Sequence, residues 1–264
     1  MARYEYIIVE TAGGIRTITL NRPARRNALT PELIDELMTA LNEAAGEKSC
    51  GVLILTGAGP AFCAGLDLDH LATISARTPE ENRKDSEATA KLLRGLYDFP
   101  KPVIAAVNGP AIAGGMGLAT IPDFTLAIPE AKFGYTEVRI GFVPAIVASF
   151  LLRQIGEKRT RDLLLTGRLI KAHEAHELGL VTEIVSADQL MVTARALAHQ
   201  LLQNSSQAMT SMKVLLAKHA RRRLDEELAD AIEANAQQRS TTDFKEGVQA
   251  FLQHRRPEWP SLKG

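Results

Sequence analysis

Short apolar runs, separated by polar and glycine-rich stretches, organise the first two-thirds of the chain. The runs with the length of strands cover residues 6–10, 15–20, 52–56, 103–107 and 124–128. The first two flank Ala12-Gly13-Gly14, a small and flexible connection that predicts a β-hairpin. The last three are rich in β-branched residues, and each predicts a short strand.

Helical patterns fill the intervals between these strands and dominate the C-terminal third. Thr30 is a suitable N-cap and Pro31 a suitable first helical residue, and they precede an apolar stripe formed by Leu33, Leu37 and Leu41. Further helices are predicted over residues 80–97 and 145–155, and the chain is mostly helical over residues 186–239. Strand, loop and helix in repeated order predict an α/β fold, onto which a helical C-terminal part packs.

Composition narrows the class of protein. Of the 264 residues, 45% are hydrophobic and 23% charged, and the formal net charge is zero, so no basic excess points to nucleic acid or a membrane surface. The two cysteines, Cys50 and Cys63, do not form a disulfide framework, which favours a reducing compartment. A cytoplasmic location is therefore expected, with no nucleic-acid or membrane partner.

Two glycine-rich loops follow strand candidates. The first covers residues 57–68, where small side chains such as Ala64 and Gly65 let backbone approach a ligand, and Asp67 stands where it can cap a helix. The second covers residues 108–118 and is expected to open a helix at Gly114-Gly115. Free N–H groups at a helix N-terminus suit a developing oxyanion, although each loop on its own also fits a tight turn.

Two short patterns resemble other kinds of site. Gly115-Met116-Gly117 begins a dinucleotide-binding pattern, but Thr120 stands where that pattern has glycine or alanine. His173 and His176 are three residues apart, whereas zinc-binding histidines on one helix face are four apart. Neither a nicotinamide cofactor nor a metal is therefore expected.

An ordered set of motifs covers nearly the whole chain. Its members are Asn21-Arg22-Pro23 with Asn27-Ala28-Leu29, Ala61-Phe62-Cys63-Ala64-Gly65-Leu66-Asp67-Leu68, Lys101-Pro102-Val103, Asn108-Gly109, Gly114-Gly115 with Asp123, Lys132-Phe133-Gly134, Thr166-Gly167-Arg168 with Glu174-Ala175, Gly179-Leu180-Val181, Phe244-Lys245-Glu246-Gly247 and Arg255-Arg256-Pro257. Together they resemble the crotonase family, also called the enoyl-CoA hydratase/isomerase superfamily. The resemblance implies a spiral of β-β-α units over residues 1–200 and a helical trimerisation region over residues 201–264.

The same resemblance implies a site for an acyl-CoA thioester. The backbone amides of Leu66 and Gly114 correspond to the oxyanion hole of the family, which stabilises a thioenolate. The CoA-binding strip corresponds to Ala24, Arg25, Arg26, Ala64, Asp67 and Leu68. Arginine suits the phosphates of CoA, which enters as part of the substrate, so no separate cofactor is expected. The protein is expected to pair with itself as a homotrimer or a dimer of trimers.

The acid/base group is where the chain departs from the family. Hydratases of the family use two glutamates; one is present as Glu137, while Gly117 stands at the other position. A buried glutamate has a raised pKa that suits proton transfer near neutral pH. Glu137 therefore works alone in a hydratase, shuttles a proton in an enoyl-CoA isomerase, or serves a decarboxylase or related thioenolate enzyme.

The residues after Glu137 favour hydration. The run Glu137-Val138-Arg139-Ile140-Gly141-Phe142-Val143-Pro144-Ala145-Ile146-Val147 resembles the methylglutaconyl-CoA hydratase-like branch, in which glycine also occurs at the Gly117 position. A lyase that hydrates a branched or dicarboxylic enoyl-CoA is the leading hypothesis. An isomerase and a non-catalytic CoA-binding scaffold are the alternatives.

Overall fold

The computed structural model describes residues 4–74 and 76–263 of the chain. These residues contain nine strands and nine α-helices. The strands are β1 (Ile7–Ala12), β2 (Ile15–Leu20), β3 (Val52–Gly57), β4 (Val103–Val107), β5 (Ala111–Ile112), β6 (Phe124–Ala127), β7 (Lys132–Gly134), β8 (Ile170–Lys171) and β9 (Glu183–Ile184). The helices are α1 (Pro31–Gly46), α2 (Leu68–Ile74), α3 (Pro79–Tyr97), α4 (Gly114–Thr120), α5 (Ala145–Thr166), α6 (Ala172–Glu177), α7 (Leu190–Leu202), α8 (Ser206–Gln238) and α9 (Thr242–Leu252).

The larger sheet has six strands in the order β1-β2-β3-β4-β6-β9. The β1–β2 pair is antiparallel, as the predicted hairpin requires, and every other pair is parallel. Side chains of β3 alternate between the main core and a second cluster against α7; Leu53 lies in the first and Ile54 in the second. Burial on both faces explains why these strands read as unbroken apolar runs.

The second sheet is small and lies next to the glycine-rich loops. It joins β5, β7 and β8, with β5 and β7 parallel and β7 and β8 antiparallel. β5 belongs to the second glycine-rich loop, and β7 leads directly into Tyr135, Thr136 and Glu137. This sheet therefore ties the segment that carries Glu137 to the loop that carries Gly114.

Helix boundaries agree with the sequence at their N-termini and differ further along. The Thr30 hydroxyl accepts a hydrogen bond from the Leu33 N–H, with Pro31 as the first helical residue. The helix predicted to end at residue 155 does so, because Gly156 has non-helical φ 75° and ψ 166°; after this kink a second helical segment of α5 extends to Thr166. Helical structure likewise continues beyond Arg239, into α9.

The C-terminal part of the chain contains only helices from Ser206 to Leu252, and a short 3₁₀ turn follows at Pro260–Leu262. Helix α8 packs against α3 and α5, and Asn235 near its end accepts a hydrogen bond from Ser86. No helix within the described residues is long and apolar enough to cross a membrane.

Candidate active site

Backbone pairing holds the two glycine-rich loops side by side. Cys63 and Ala111 form a parallel bridge, in which the Ile112 N–H donates to the Cys63 carbonyl at 2.9 Å and the Cys63 N–H donates to the Pro110 carbonyl at 3.1 Å. On its other side the first loop pairs with Leu29, whose N–H donates to the Gly65 carbonyl at 2.7 Å. The backbone around Leu66 is thereby fixed from both sides.

Close approach at Gly65 depends on its lack of a side chain. Its φ is +85°, and a Cβ there would lie 2.8 Å from the Cβ of Ala113 and 2.9 Å from the carbonyl oxygen of Ile112. Ala113 itself has φ 52° and ψ −128°, an uncommon conformation for a residue with a side chain. This strained residue immediately precedes Gly114 and sets the direction in which the Gly114 N–H points.

The backbone amides of Leu66 and Gly114 are free donors within these two loops. Neither N–H donates to a backbone or side-chain acceptor anywhere in the described chain, although their neighbours Asp67 and Ala113 both do. Gly114 is the first residue of α4, so the partial positive charge of the helix N-terminus adds to its N–H. Both residues line the same cavity, so their free N–H groups suit the binding of an oxyanion there.

Glu137 lines this cavity as well, at the start of a 3₁₀ turn, Glu137–Ile140. Its side chain is 9% exposed, and Oε2 has no hydrogen-bond partner among the described residues. Burial raises its pKa from 4.5 to about 7, partly opposed by a hydrogen bond from its own backbone N–H. Glu137 is therefore neither exposed to solvent nor paired with a charged side chain of the described residues.

By the family resemblance, Gly117 stands where hydratases have their other glutamate. Gly117 is buried in α4 and is not among the described residues that line the cavity. A Cβ there would lie 3.2 Å from Cγ1 of Val147 and 3.3 Å from Cδ2 of Leu93. These apolar side chains crowd the position, so a side chain there would require them to shift by a few tenths of an ångström, and Val147 itself forms part of the cavity wall.

The six residues of the predicted CoA-binding strip all line the cavity: Ala24, Arg25, Arg26, Ala64, Asp67 and Leu68. Arg25 is solvent-exposed beside Asp69, at 3.0 Å. Asp67 is buried, and its Oδ2 accepts from Arg22 at 2.9 Å while its Oδ1 accepts from the Asp69 N–H at 3.0 Å. Asp67 thus orients the start of α2 and fixes the first loop, and the hydrogen bond from Arg22 lowers its pKa.

Several cavity residues have no counterpart in the sequence motifs. Asn235 and Arg239, at the end of α8, line the cavity together with Thr89 of α3. Asn235 donates to the Val143 carbonyl at 3.1 Å, and Gln238 donates to the Gly141 carbonyl at 2.9 Å. The region predicted to serve trimer formation therefore also supports the segment that follows Glu137, a role that only long-range packing reveals.

The cavity has a volume of about 870 Å³. Apolar side chains dominate its inner wall, among them Leu29, Leu71, Phe142, Ile146 and Val147. Two free backbone donors and one buried, unpaired carboxyl group in an apolar cavity suit the polarisation of a carbonyl group and a proton transfer beside it.

Comparisons with known proteins agree with this chemistry. The sequence matches the family described as Enoyl-CoA hydratase/isomerase over residues 10–262. It is 42% identical over 247 residues to a Thermus thermophilus protein named as an enoyl-CoA hydratase, which covers 94% of this chain and 98% of that protein. It is 33% identical over 259 residues to the 2,3-dehydroadipyl-CoA hydratase of Escherichia coli, with coverages of 96% and 98%.

A solved structure supports the same relationship. The crystal structure of an enoyl-CoA hydratase/isomerase from Xanthobacter autotrophicus Py2 matches with a TM-score of 0.88 at 29% identity, and the match covers 96% of this chain and 98% of that one. The α/β fold with a helical C-terminal region, predicted from the motifs, is thereby confirmed.

Proposed function

Because the chain belongs to the enoyl-CoA hydratase/isomerase family, we propose that it reversibly hydrates a branched or dicarboxylic enoyl-CoA, with Glu137 as its single acid/base. The observation that carries the proposal is the presence of a buried, unpaired Glu137 in the same cavity as the free amides of Leu66 and Gly114. The protein is an enzyme of this family. The identity of its acyl group and the catalytic role of each residue are what we propose.

In the proposed reaction the thioester oxygen accepts hydrogen bonds from the Leu66 and Gly114 amides. Glu137, as carboxylate, takes a proton from water while the water oxygen bonds to Cβ, and the π electrons move onto the thioester oxygen as a thioenolate. The protonated Glu137 then returns its proton to Cα as the enolate collapses. Each backbone donor contributes about 10²- to 10³-fold in rate by analogy with oxyanion holes in general.

Two observations support the substrate class. The residues from Glu137 to Val147 resemble the methylglutaconyl-CoA hydratase-like branch, which motivates a branched or dicarboxylic acyl group. The Escherichia coli relative is named for 2,3-dehydroadipyl-CoA, a dicarboxylic thioester. Its 33% identity extends over nearly the full length of both chains, so a dicarboxylic substrate is a reasonable expectation here.

Isomerisation is the second candidate, and the surroundings of Gly117 favour it. Only two carboxylates are among the described cavity residues, and Asp67 is held by Arg22. Moving a double bond needs one base that removes a proton from Cα and returns it to Cγ, so a lone Glu137 is sufficient for that reaction.

Liquid chromatography coupled to mass spectrometry distinguishes the two reactions, because positional isomers of equal mass are separated before they are weighed. The protein is incubated with crotonyl-CoA, methylglutaconyl-CoA, 2,3-dehydroadipyl-CoA and a 3-enoyl-CoA. A gain of one water on a 2-enoyl thioester, strongest for the dicarboxylic members, supports the proposal. Conversion of the 3-enoyl-CoA at constant mass, without water gain on any 2-enoyl-CoA, overturns it in favour of the isomerase.

Self-association belongs to the same proposal. Helix α8 exposes four adjacent or nearly adjacent apolar side chains, Met212, Val214, Leu215 and Leu216. Such a cluster is unusual on a free surface and suits a subunit interface. Sedimentation-velocity analysis is expected to give a trimer or a dimer of trimers; a monomer at micromolar concentration would contradict this.

A further inference from the structure

Arg239 brings a buried positive charge to the wall of the cavity. It follows the last residue of α8, is 4% exposed, and is one of the residues that line the cavity. Its Nη1 donates to Oδ2 of Asp85 at 2.6 Å, and its guanidinium lies 5.4 Å from the ring centre of Phe142. Phe142 in turn packs on Phe244 at 5.3 Å, so the guanidinium is held in one orientation.

Arg239 belongs to a group of four side chains, His70, Arg77, Asp85 and Arg239, which we call the Asp85 cluster. His70 Nε2 lies 2.8 Å from Oδ1 of Asp85, and Arg77 Nη2 lies 3.2 Å from Nδ1 of His70. A neutral ring satisfies both contacts, because Nε2–H donates to Asp85 and Nδ1 accepts from Arg77. The cluster then holds two cations and one carboxylate, an excess of one positive charge.

Within the described part of the chain, the only other carboxylates that act on this cluster are exposed ones, among them Glu81 of α3, which lies within electrostatic reach of Arg77. Asp67 is paired with Arg22, and the pKa of Glu137 is set by burial and by its own backbone, without a contribution from any charged side chain. Glu32 approaches His70 from α1, but it is exposed to solvent.

The guanidinium also has an unused donor. Nε of Arg239 is buried and has no hydrogen-bond partner among the described residues. A buried charged donor without an acceptor is unfavourable in an apolar setting, and few such groups are found in native proteins. An arginine that lines the cavity, is fixed in orientation and belongs to a cluster with a positive excess is the kind of group that recognises a carboxylate.

We propose that Arg239 is a specificity-determining residue that binds the distal carboxylate of a dicarboxylic acyl chain, the end remote from the thioester. This inference rests on the proposed function insofar as the cavity binds an acyl-CoA thioester. Asp85 and Phe142 act as positioning residues for the guanidinium. A purely structural Arg239, which joins α8 to α3 through Asp85, would not distinguish a terminal carboxylate from a terminal methyl group.

Binding of unreactive thioesters tests the inference without turnover. Succinyl-, glutaryl-, adipyl- and suberyl-CoA are each paired with the straight-chain alkanoyl-CoA of the same carbon number, and Kd is measured by isothermal titration calorimetry. A charge-assisted hydrogen bond is worth about 1.5–3 kcal/mol, which is about 10- to 100-fold in Kd. The wild-type protein is expected to bind at least one dicarboxylic member more tightly than its partner by that factor.

Three variants identify the residue responsible. Arg239→Gln is expected to abolish the preference while alkanoyl-CoA binding is retained, and Arg239→Lys to keep part of it because the charge remains. Arg153→Gln is the matched control, since Arg153 also pairs with an acidic residue, Glu227 of α8, but is not among the cavity-lining residues. It should leave the preference intact. If Arg239→Gln does not fold, the partial loss in Arg239→Lys carries the test.

Two results would overturn the inference. One is a wild-type protein that binds no dicarboxylic thioester more tightly than its alkanoyl partner. The other is an Arg239→Gln protein that loses affinity equally for both members of every pair. The binding test can succeed even if the proposed reaction is wrong. If the protein hydrates no thioester but still prefers dicarboxylic thioesters in a way that depends on Arg239, the inference about Arg239 holds and the proposed hydratase activity is refuted.

Discussion

Replacing Glu137 by glutamine is expected to make the folded protein more stable at alkaline pH. The carboxyl group is buried, and burial raises its pKa from 4.5 to about 7. A carboxyl group with a raised folded-state pKa favours the native state while it is protonated and opposes it once ionised. The penalty is therefore small below about pH 4.5, grows as the pH rises towards 7, and is complete above that value.

The size of this penalty follows from the shift. Each pKa unit corresponds to about 1.4 kcal/mol, so a shift from 4.5 to about 7 corresponds to about 3 kcal/mol at pH 8. Glutamine has nearly the same volume as glutamate but no charge to desolvate. Glu137→Gln should therefore exceed the wild type by about 3 kcal/mol in free energy of unfolding at pH 8, and by less than about 1 kcal/mol at pH 5.

Urea titration at the two pH values, at one fixed protein concentration, measures this difference. The exposed Glu177→Gln serves as the matched control and should change stability little at either pH. A Glu137→Gln effect that is the same at pH 5 and pH 8 would refute the reasoning, because it would mean that Glu137 titrates alike in the folded and unfolded chains. A loss of stability at pH 8 would refute it as well.

Three further predictions concern the site. The kcat/KM of the wild type should fall as the pH is lowered, with a midpoint near pH 7, because only the ionised Glu137 can take the proton. A kcat/KM that stays constant from pH 5 to 8 would contradict this prediction. Asp67→Ala should lower the free energy of unfolding by about 3 kcal/mol, because it leaves the half-buried Arg22 without its partner. Asp69→Ala, in the exposed ion pair with Arg25, should lower it by less than about 1 kcal/mol. Equal losses for the two variants in urea titration would contradict this prediction. Gly117→Glu alone should not raise the rate of crotonyl-CoA hydration, because the side chains of Val147 and Leu93 crowd the adjoining space. The double variant Gly117→Glu with Val147→Ala tests whether this crowding is the obstacle. A higher hydration rate in Gly117→Glu alone would contradict the prediction.

Local chemistry made much of the fold predictable. The Ile15–Leu20, Val52–Gly57 and Val103–Val107 strands carry their own β-branched signal, and Thr30 with Pro31 marks the start of α1. The first segment of α5 ends before Gly156, as predicted, whereas the second segment, which ends at Thr166, escaped prediction because only packing decides that a helix resumes after such a residue.

The residues of the candidate site likewise fall into those that sequence motifs indicate and those that only tertiary packing brings together. Leu66, Gly114 and Glu137 were identified through motifs, because loops that approach a ligand need small residues in a fixed order. Arg239 and Asp85 belong to no motif; they are far apart in sequence and meet only because α8 packs on α3. The relation of Gly117 to the cavity depends on Val147 and Leu93, whose positions sequence spacing does not determine.

Hydrogen–deuterium exchange at the substrate Cα tests the central claim, that Glu137 moves the proton of a thioester held by the Leu66 and Gly114 amides. A 3-hydroxyacyl-CoA and a 3-enoyl-CoA are incubated with protein in D₂O, and deuterium at Cα is followed by mass spectrometry. The wild type should incorporate deuterium, and Glu137→Gln should do so about 10²- to 10⁴-fold more slowly with an unchanged Kd for the thioester. Exchange at the wild-type rate in Glu137→Gln would contradict the account.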